Sequence, residues 1–148
     1  MADAPVSEAK AWMVKAWRDL ETARRAATGE PPFYDIAVYH CQQGAEKAVK
    51  AFLIHHGQPY EKTHDIEVLL DFACEINSKF SALADAADAL TPYATRFRYP
   101  NATFAVEPQP GEYHEALQHA QSVYDFVCWG GNKMRLRGEQ NETDYSPA

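Results

Sequence analysis

A helical pattern of apolar side chains runs through the segment from Tyr34 to His56. Its apolar residues recur at spacings of three and four, and at roughly 100° per residue they fall within an arc of about 120°. They are Tyr34, Ala37, Val38, Cys41, Ala45, Ala48, Val49 and Phe52. Gly57 and Pro59 then supply the signals that end a helix. The pattern predicts one long helix whose apolar face packs against other helices.

Similar patterns before and after this segment predict further helices. In approximate bounds they cover residues 9–23, 66–80, 83–97 and 112–128. Ser7 and Thr63 are candidate N-caps of the first and third helices, because acidic residues and an apolar run follow each of them. Pro92 interrupts the fourth stretch, which fits either one kinked helix or two separate helices.

The remaining segments carry no helical pattern. Residues 100–111 are predicted to form a loop, with at most a short extended piece over 103–106, and residues 132–148 a mobile polar tail. No segment alternates between apolar and polar residues over a useful length, as a strand would. We therefore expect an all-α fold, an up-and-down antiparallel bundle of four to five helices in one domain over residues 1–131.

The charge balance limits the partners that this chain can bind. Its 148 residues include 14 Lys and Arg against 21 Asp and Glu, a net charge of −7. Proteins that bind duplex DNA carry a basic footprint, so we expect no such partner. No apolar run approaches the roughly 18 residues that span a membrane. The N-terminus lacks a signal-peptide pattern, and the widely spaced cysteines fit free thiols. These features predict a cytoplasmic protein without a membrane partner.

The motifs of metal binding and catalysis are weak in this sequence. Glu61 and His64 match the Glu-x-x-His spacing of di-iron bundles, but those bundles need a second such motif and further carboxylates. The chain also lacks a Gly-x-Ser-x-Gly motif, a P-loop and a Gly-x-Gly-x-x-Gly motif. We therefore predict no metal site, no cofactor and no catalytic residue, and we interpret the histidines as surface or capping residues.

The second helix carries a polar arc opposite its apolar face. His40, Gln43, Lys47 and Lys50 fall there within about 80°. Such an arc is typical of a solvated helix face. Two lysines and a glutamine at helical spacing also suit a phosphate and a base edge, so Lys47 and Lys50 are candidate phosphate ligands.

A second cluster of basic and aromatic residues precedes Pro100. Arg96, Phe97, Arg98 and Tyr99 follow one another in an otherwise acidic protein. Guanidinium groups bind phosphate through two parallel hydrogen bonds, and a tyrosine ring stacks on bases. The alternative is that the arginines pair with carboxylates of a neighbouring helix.

Four motifs, taken together, resemble the HEPN domain, a higher-eukaryote and prokaryote nucleotide-binding domain. They are WMVKAWRDLETA over 12–23, QQGAEKAVKAFL over 42–53, KTHDI over 62–66 and RYP over 98–100. Their order and spacing follow the family, and together they cover roughly residues 9–128. The resemblance implies a helical up-and-down bundle that usually dimerises and acts beside nucleotides or RNA.

The resemblance also implies two kinds of activity. Small stand-alone members are neighbours of a minimal nucleotidyltransferase, in pairs that resemble toxin–antitoxin modules. Other members are metal-independent ribonucleases, in which a histidine follows an arginine after four to six residues. No arginine of this chain has a histidine at that spacing, and the first histidine after Arg98 is His114.

We therefore expect a non-catalytic subunit that binds a nucleotide or a substrate and acts with a minimal nucleotidyltransferase in a toxin–antitoxin-like pair. The residues predicted to line its binding surface are Lys47, Lys50, His64, Arg96, Arg98 and Tyr99. The abundance of aromatic residues favours a homodimer, since aromatics are enriched at interfaces. One alternative is a metal-independent ribonuclease toxin with a non-standard site, such as Arg98 with His64 or His114. Another is a protein-only interaction module that docks through Trp129 and the tail.

Overall fold

A computed structural model of the chain describes residues 3–58, 60, 62–100 and 107–130. The α-helices are α1 (Asp3–Thr28), α2 (Tyr34–His55), α3 (Ile66–Ile76), α4 (Ala84–Leu90) and α5 (Pro110–Asp125). Shorter helical turns cover Ser78–Leu83, Thr91–Ala94 and Phe126–Gly130. Every regular element within the described ranges is helical, which confirms the all-α prediction.

Helices α1 and α2 form an antiparallel hairpin. The Phe33 N–H at the start of α2 donates to the Ala26 carbonyl oxygen near the end of α1, at 2.8 Å. At the middle of the hairpin, a Cβ added to Gly44 would lie 2.9 Å from Leu20 Cδ2 and 3.2 Å from the Ala16 carbonyl oxygen. Gly44 therefore lets the two helices approach more closely than any larger residue would allow.

Helix α5 runs beside α2 in the same direction. The rings of Tyr34 and Tyr113 pack 5.6 Å apart near the start of both helices. Near their ends, the centroid of the Phe80 ring lies 4.2 Å from that of Phe52 and 4.9 Å from that of Phe126. Helix α2 also packs against α1 and α3. It therefore lies at the centre of the bundle.

The central position of α2 corrects one interpretation of its polar arc. Gln43 and Lys50 are only 8% and 6% exposed, so the arc is not a solvated face at these positions. Helix α1 covers one side of the arc, and the segment between α2 and α3 covers the other. Glu46, which the sequence analysis did not single out, is also buried, at 2% exposure.

The helix starts also differ from the prediction. Helix α1 begins before Ser7, which lies inside it. The N-cap of α3 is Asp65, whose carboxylate accepts a hydrogen bond from the Glu67 N–H at 2.9 Å. The Thr63 hydroxyl instead accepts from the Asp65 N–H and so supports the cap from one step earlier. After α4, a tight helical turn begins at Thr91.

Two sequence predictions concern residues outside the described ranges. They are the short extended piece over 103–106 and the tail over 132–148. Across the described residues, no helix has both the length and the apolar character needed to cross a lipid bilayer.

Candidate nucleotide-binding site

A line of polar and aromatic residues, here called the α2 stripe, runs along one side of the central helix. It comprises Tyr39, Gln43, Glu46 and Lys50. Their spacings of four, three and four residues place them on the same side of α2, one above the other. A different segment of the chain meets each end of the stripe, so that residues distant in sequence come together there.

The buried carboxylate of Glu46 organises the middle of the stripe. Its two oxygens lie 2.8 Å from His64 Nδ1 and 3.5 Å from Lys50 Nζ. A carboxylate only accepts hydrogen bonds, so His64 donates through Nδ1 and leaves Nε2 for other partners. The His64 side chain is 72% exposed. Its backbone carbonyl accepts from Gln42 Nε2 at 2.9 Å, which ties this segment to α2.

Lys50 lies beneath the surface at one end of the stripe. Its ammonium is 5.7 Å from the ring centroid of Trp12 and 5.6 Å from that of Tyr60. The two rings meet edge to face at 5.4 Å. This cation–π enclosure and the ion pair with Glu46 surround the charge. Lys50 is therefore buried, and it stabilises the side chains packed around it.

Lys47 lies nearer to α1, and Asp19 holds it there. Lys47 Nζ is 2.5 Å from one oxygen of the Asp19 carboxylate, and His40 Nδ1 is 2.8 Å from the other. The side chains of Lys47 and His40 are 25% and 26% exposed, so both reach the surface of the hairpin. The shared carboxylate orients both groups along the α1–α2 seam.

Arg98 meets the other end of the stripe. Its guanidinium lies 4.3 Å from the ring centroid of Tyr39 and 5.2 Å from that of Tyr99. Tyr99 is 66% exposed, and Arg98 is also exposed. No carboxylate among the described residues lies within ion-pair distance of Arg98. The described residues therefore do not show the alternative prediction, an ion pair between Arg98 and a carboxylate of a neighbouring helix.

The backbone before Arg98 has an uncommon conformation. Phe97 has a φ of 69°, which non-glycine residues rarely adopt. This left-handed residue separates two arginines with different surroundings. Arg96 lies 4.7 Å from the Phe97 ring, whereas Arg98 turns to the two tyrosines. The structure thus brings Arg98 and Tyr99 to the α2 stripe and gives Arg96 another neighbour.

The sequence analysis missed several residues of this site. Glu46, Tyr39 and Asp19 carry the contacts that orient His64, Arg98 and Lys47. The spacing of Glu46 and Lys50, four residues apart, is the one local signal that pairs them. The partners of the other contacts lie on different elements, so no spacing in the sequence relates them.

Burial favours the neutral forms of one thiol and two phenol groups in the bundle. Burial raises the pKa of the Cys41 thiol to about 12, although the positive charge of Arg24 acts in the opposite direction. Burial also raises the pKa of Tyr93 and Tyr113.

Among the described residues, no three His, Cys, Asp or Glu side chains gather as metal ligands would, and Glu61 lies outside those residues.

Solved structures show the same architecture. An archaeal HEPN homologue shares 28% sequence identity with a TM-score of 0.65, over 86% of this chain and 97% of that one. The protein TT1696 from Thermus thermophilus shares 29% identity with a TM-score of 0.68, over 80% of this chain and 94% of that one. A comparison with curated proteins gave no match.

The sequence itself also matches a family as a whole. The model of the HEPN domain family aligns with residues 9–134, which include all five α-helices in whole or in large part. The motifs that suggested this family supply the central contacts of the site: Glu46 and Lys50 from α2, His64 before α3 and Arg98 after α4. The chain belongs to the HEPN domain family.

Proposed function

We propose that this protein is a non-catalytic subunit that binds the phosphate-bearing part of a nucleotide or RNA along the α2 stripe. The observation that carries the proposal is the exposed Arg98 guanidinium between the rings of Tyr39 and Tyr99. Arg98 Nη1 donates to the Ala94 carbonyl oxygen at 3.3 Å, and the remaining N–H groups of the guanidinium suit phosphate oxygens. Tyr99 then offers an exposed face to a base.

Other groups on α2 and beside it support an anionic ligand. His64, held by Glu46, presents Nε2 as a further hydrogen-bonding group, and Lys47 reaches the surface beside Asp19 of α1. The protein has a net charge of −7, so any attraction for phosphate must come from such a local group of cations. Lys50, enclosed below them, positions Glu46 and through it His64. Arg96, also predicted at this surface, stacks instead on Phe97.

The binding role is tested with a fluorescently labelled single-stranded oligoribonucleotide and with ADP. We expect Arg98→Ala to weaken both affinities about tenfold, since a charge-assisted contact to phosphate contributes about 1.5–3 kcal/mol. Tyr99→Ala should weaken RNA binding by a similar factor through lost stacking. The control is Arg25→Ala, an exposed arginine at the end of α1. Equal affinities of the Arg98→Ala and Arg25→Ala proteins would refute the proposed surface.

The partner in this proposal is a minimal nucleotidyltransferase, in a toxin–antitoxin-like pair and with this chain as a homodimer. Membership of the HEPN family supports it, together with the lack of the arginine–histidine spacing of its ribonucleases. The test is co-elution of the two purified proteins in size-exclusion chromatography, with and without ATP. Separate elution under both conditions would count against the pairing and favour another docking partner at exposed residues such as Trp129.

A second candidate function is metal-independent RNA cleavage, and the Glu46–His64 contact favours it. A buried carboxylate that fixes an imidazole through Nδ1 and leaves Nε2 exposed is the arrangement of a general acid or base. The test is cleavage of RNA in EDTA by the wild type, by His64→Ala and by the control His119→Ala. Loss of cleavage only in His64→Ala supports a ribonuclease, whereas no cleavage by the wild type leaves the binding function.

A further inference from the structure

The outward side of α3 carries an apolar pair beside a row of carboxylates. Val68 and Phe72, one helical turn apart, are 38% and 37% exposed. Glu67, Asp71 and Glu75 are also exposed and follow one another at spacings of four residues. At 100° per residue, these side chains fall within an arc of about 140°. This side of the helix, here called the α3 outer face, is therefore open to solvent in the described part of the chain.

The negative charges of the α3 outer face lack positive partners. The ion pairs of the described residues involve other carboxylates. Partial loss of solvation raises the pKa of Glu67, and neighbouring carboxylates raise it further, through a hydrogen bond with Asp88 of α4 and through their negative charges. Like charges this close repel one another, so a cationic segment that lay on this face would relieve the repulsion.

The chain leaves the bundle next to this helix. The helical turn Phe126–Gly130 ends the described residues, and its first ring packs 4.9 Å from that of Phe80, which lies in the turn after α3. An extended chain covers about 3.3 Å per residue, so residues 131–137 can span roughly 23 Å, whereas α3 is roughly 16 Å long. Residues 131–137 are therefore long enough to lie along α3.

The sequence of this exit segment complements the α3 outer face. Lys133, Arg135 and Arg137 alternate with Met134 and Leu136. Three basic and two apolar side chains thus stand against the three carboxylates and two apolar side chains of α3. Three basic residues in five are a local exception in a chain in which 21 acidic residues outnumber 14 basic ones. The match to the family model ends at residue 134, so the segment extends beyond what the family shares.

We infer that residues 133–137 dock on the α3 outer face of the same chain. Met134 and Leu136 pack against its apolar pair, and the three basic side chains pair with its carboxylates. This contact removes apolar surface from water and neutralises the row of negative charges. It orders one part of the tail that the sequence predicts to be mobile. The inference does not involve the α2 stripe, so it is independent of the proposed function.

The first experiment is cross-linking of the full chain with a water-soluble carbodiimide, which joins an amine to a carboxylate that it touches. Mass spectrometry of peptides from the single-chain band should identify bonds between Lys133 and carboxylates of the α3 outer face. Arg135→Gln combined with Arg137→Gln, the tail variant, keeps both reactive groups. It should lower the yield of these bonds roughly three- to tenfold, the factor expected from the loss of two exposed ion pairs.

The matched control removes two exposed positive charges from α1 by Lys15→Gln combined with Arg25→Gln. Its yield of bonds to Lys133 should equal that of the wild type. Equal yields in the tail variant and in this control overturn the inference. Bonds that occur only in a band of two-chain mass place the segment on a second copy, which overturns docking within one chain.

A second measurement reads the order of the segment directly. In ¹⁵N-labelled wild type, the heteronuclear NOE of the amides in 133–137 should exceed that of residues 140–148 and approach that of α5. Phe72→Ser should lower it toward the values of 140–148, because the apolar part of the contact is lost and the exposed position leaves the fold intact. Equal values for 133–137 and 140–148 in the wild type overturn the inference.

A charge swap separates a direct contact from an indirect effect. Arg135→Glu with Arg137→Glu should lower the NOE of residues 133–137, since like charges then face each other. Addition of Asp71→Lys and Glu75→Lys to this variant should restore the NOE toward the wild-type value, because opposite charges face each other again. A swapped protein whose NOE stays as low as that of the variant with the two glutamates contradicts the assigned face.

Discussion

His64 Nδ1 lies 2.8 Å from Glu46 Oε1, and this contact joins an exposed imidazole to a carboxylate that is 2% exposed. The other oxygen of Glu46 lies 3.5 Å from the ammonium of Lys50. One buried negative charge thus holds two cationic or hydrogen-bonding groups from different segments. Its removal should affect both the stability of the bundle and the geometry of the site.

Glu46→Gln should lower the free energy of unfolding by about 3 kcal/mol, because it leaves the Lys50 ammonium buried without its counter-charge. Urea denaturation followed by circular dichroism measures the change. The double variant Glu46→Gln with Lys50→Met should cost less than the sum of its two single changes, since the uncompensated charge is then absent. Additive costs would show that the ion pair contributes nothing to the fold.

Gly44→Ala should destabilise the protein by about 1–2 kcal/mol, although alanine favours a helix over glycine. The added Cβ would lie 2.9 Å from Leu20 Cδ2 and 3.2 Å from a backbone oxygen of α1, so the hairpin must open. Gly111→Ala in α5 is the matched control, because nothing lies within 4 Å of its added Cβ. The control should leave stability unchanged or raise it slightly. A stable Gly44→Ala protein would contradict the close approach of α1 and α2.

The stability of the protein should fall as the pH rises from about 8.5 toward 12, in part because of Cys41. Burial raises the pKa of this thiol to about 12 in the folded state, whereas the unfolded chain ionises it near its ordinary value. The stabilisation is therefore complete below the unfolded pKa and is lost as the pH approaches the folded one. Urea midpoints at about pH 8 and about pH 11 should differ less in Cys41→Ala than in the wild type.

Thiol labelling gives an independent check on the same residue. At neutral pH a thiol reagent should modify the partly exposed Cys74 in the native protein and reach the buried Cys41 only after unfolding. Mass spectrometry of peptides from briefly labelled protein identifies the modified residue. Rapid native labelling of Cys41 would show that α2 is more accessible than its packing indicates.

The mass in solution tests the predicted homodimer. Light scattering at micromolar concentration should give twice the 16.6 kDa of one chain. Phe33 and Ile36, at the start of α2, are 55% and 45% exposed and are available for such a contact. Phe33→Asp combined with Ile36→Asp should lower the measured mass toward that of one chain. A monomeric wild type would contradict the prediction.

Local chemistry explains why so much of the bundle can be predicted from sequence. Apolar residues at spacings of three and four must face a common core, and glycine and proline end the helices in which they recur. These rules give the five α-helices, with shifted starts at Ser7 and Thr63, since caps depend on hydrogen bonds that several nearby residues compete to make. The family motifs also lie in local stretches of sequence, so they are recognisable without the fold.

The all-helical architecture, the family and the candidate residues follow from the sequence alone. Each of them depends on the spacing of residues within single segments of the chain. The roles of those residues depend on tertiary contacts. Lys47 and Lys50 share one polar arc, yet one reaches the surface beside Asp19 and the other lies enclosed by Trp12, Tyr60 and Glu46. Their exposure depends on which elements cover α2. Helical periodicity describes one helix and carries no information about its neighbours.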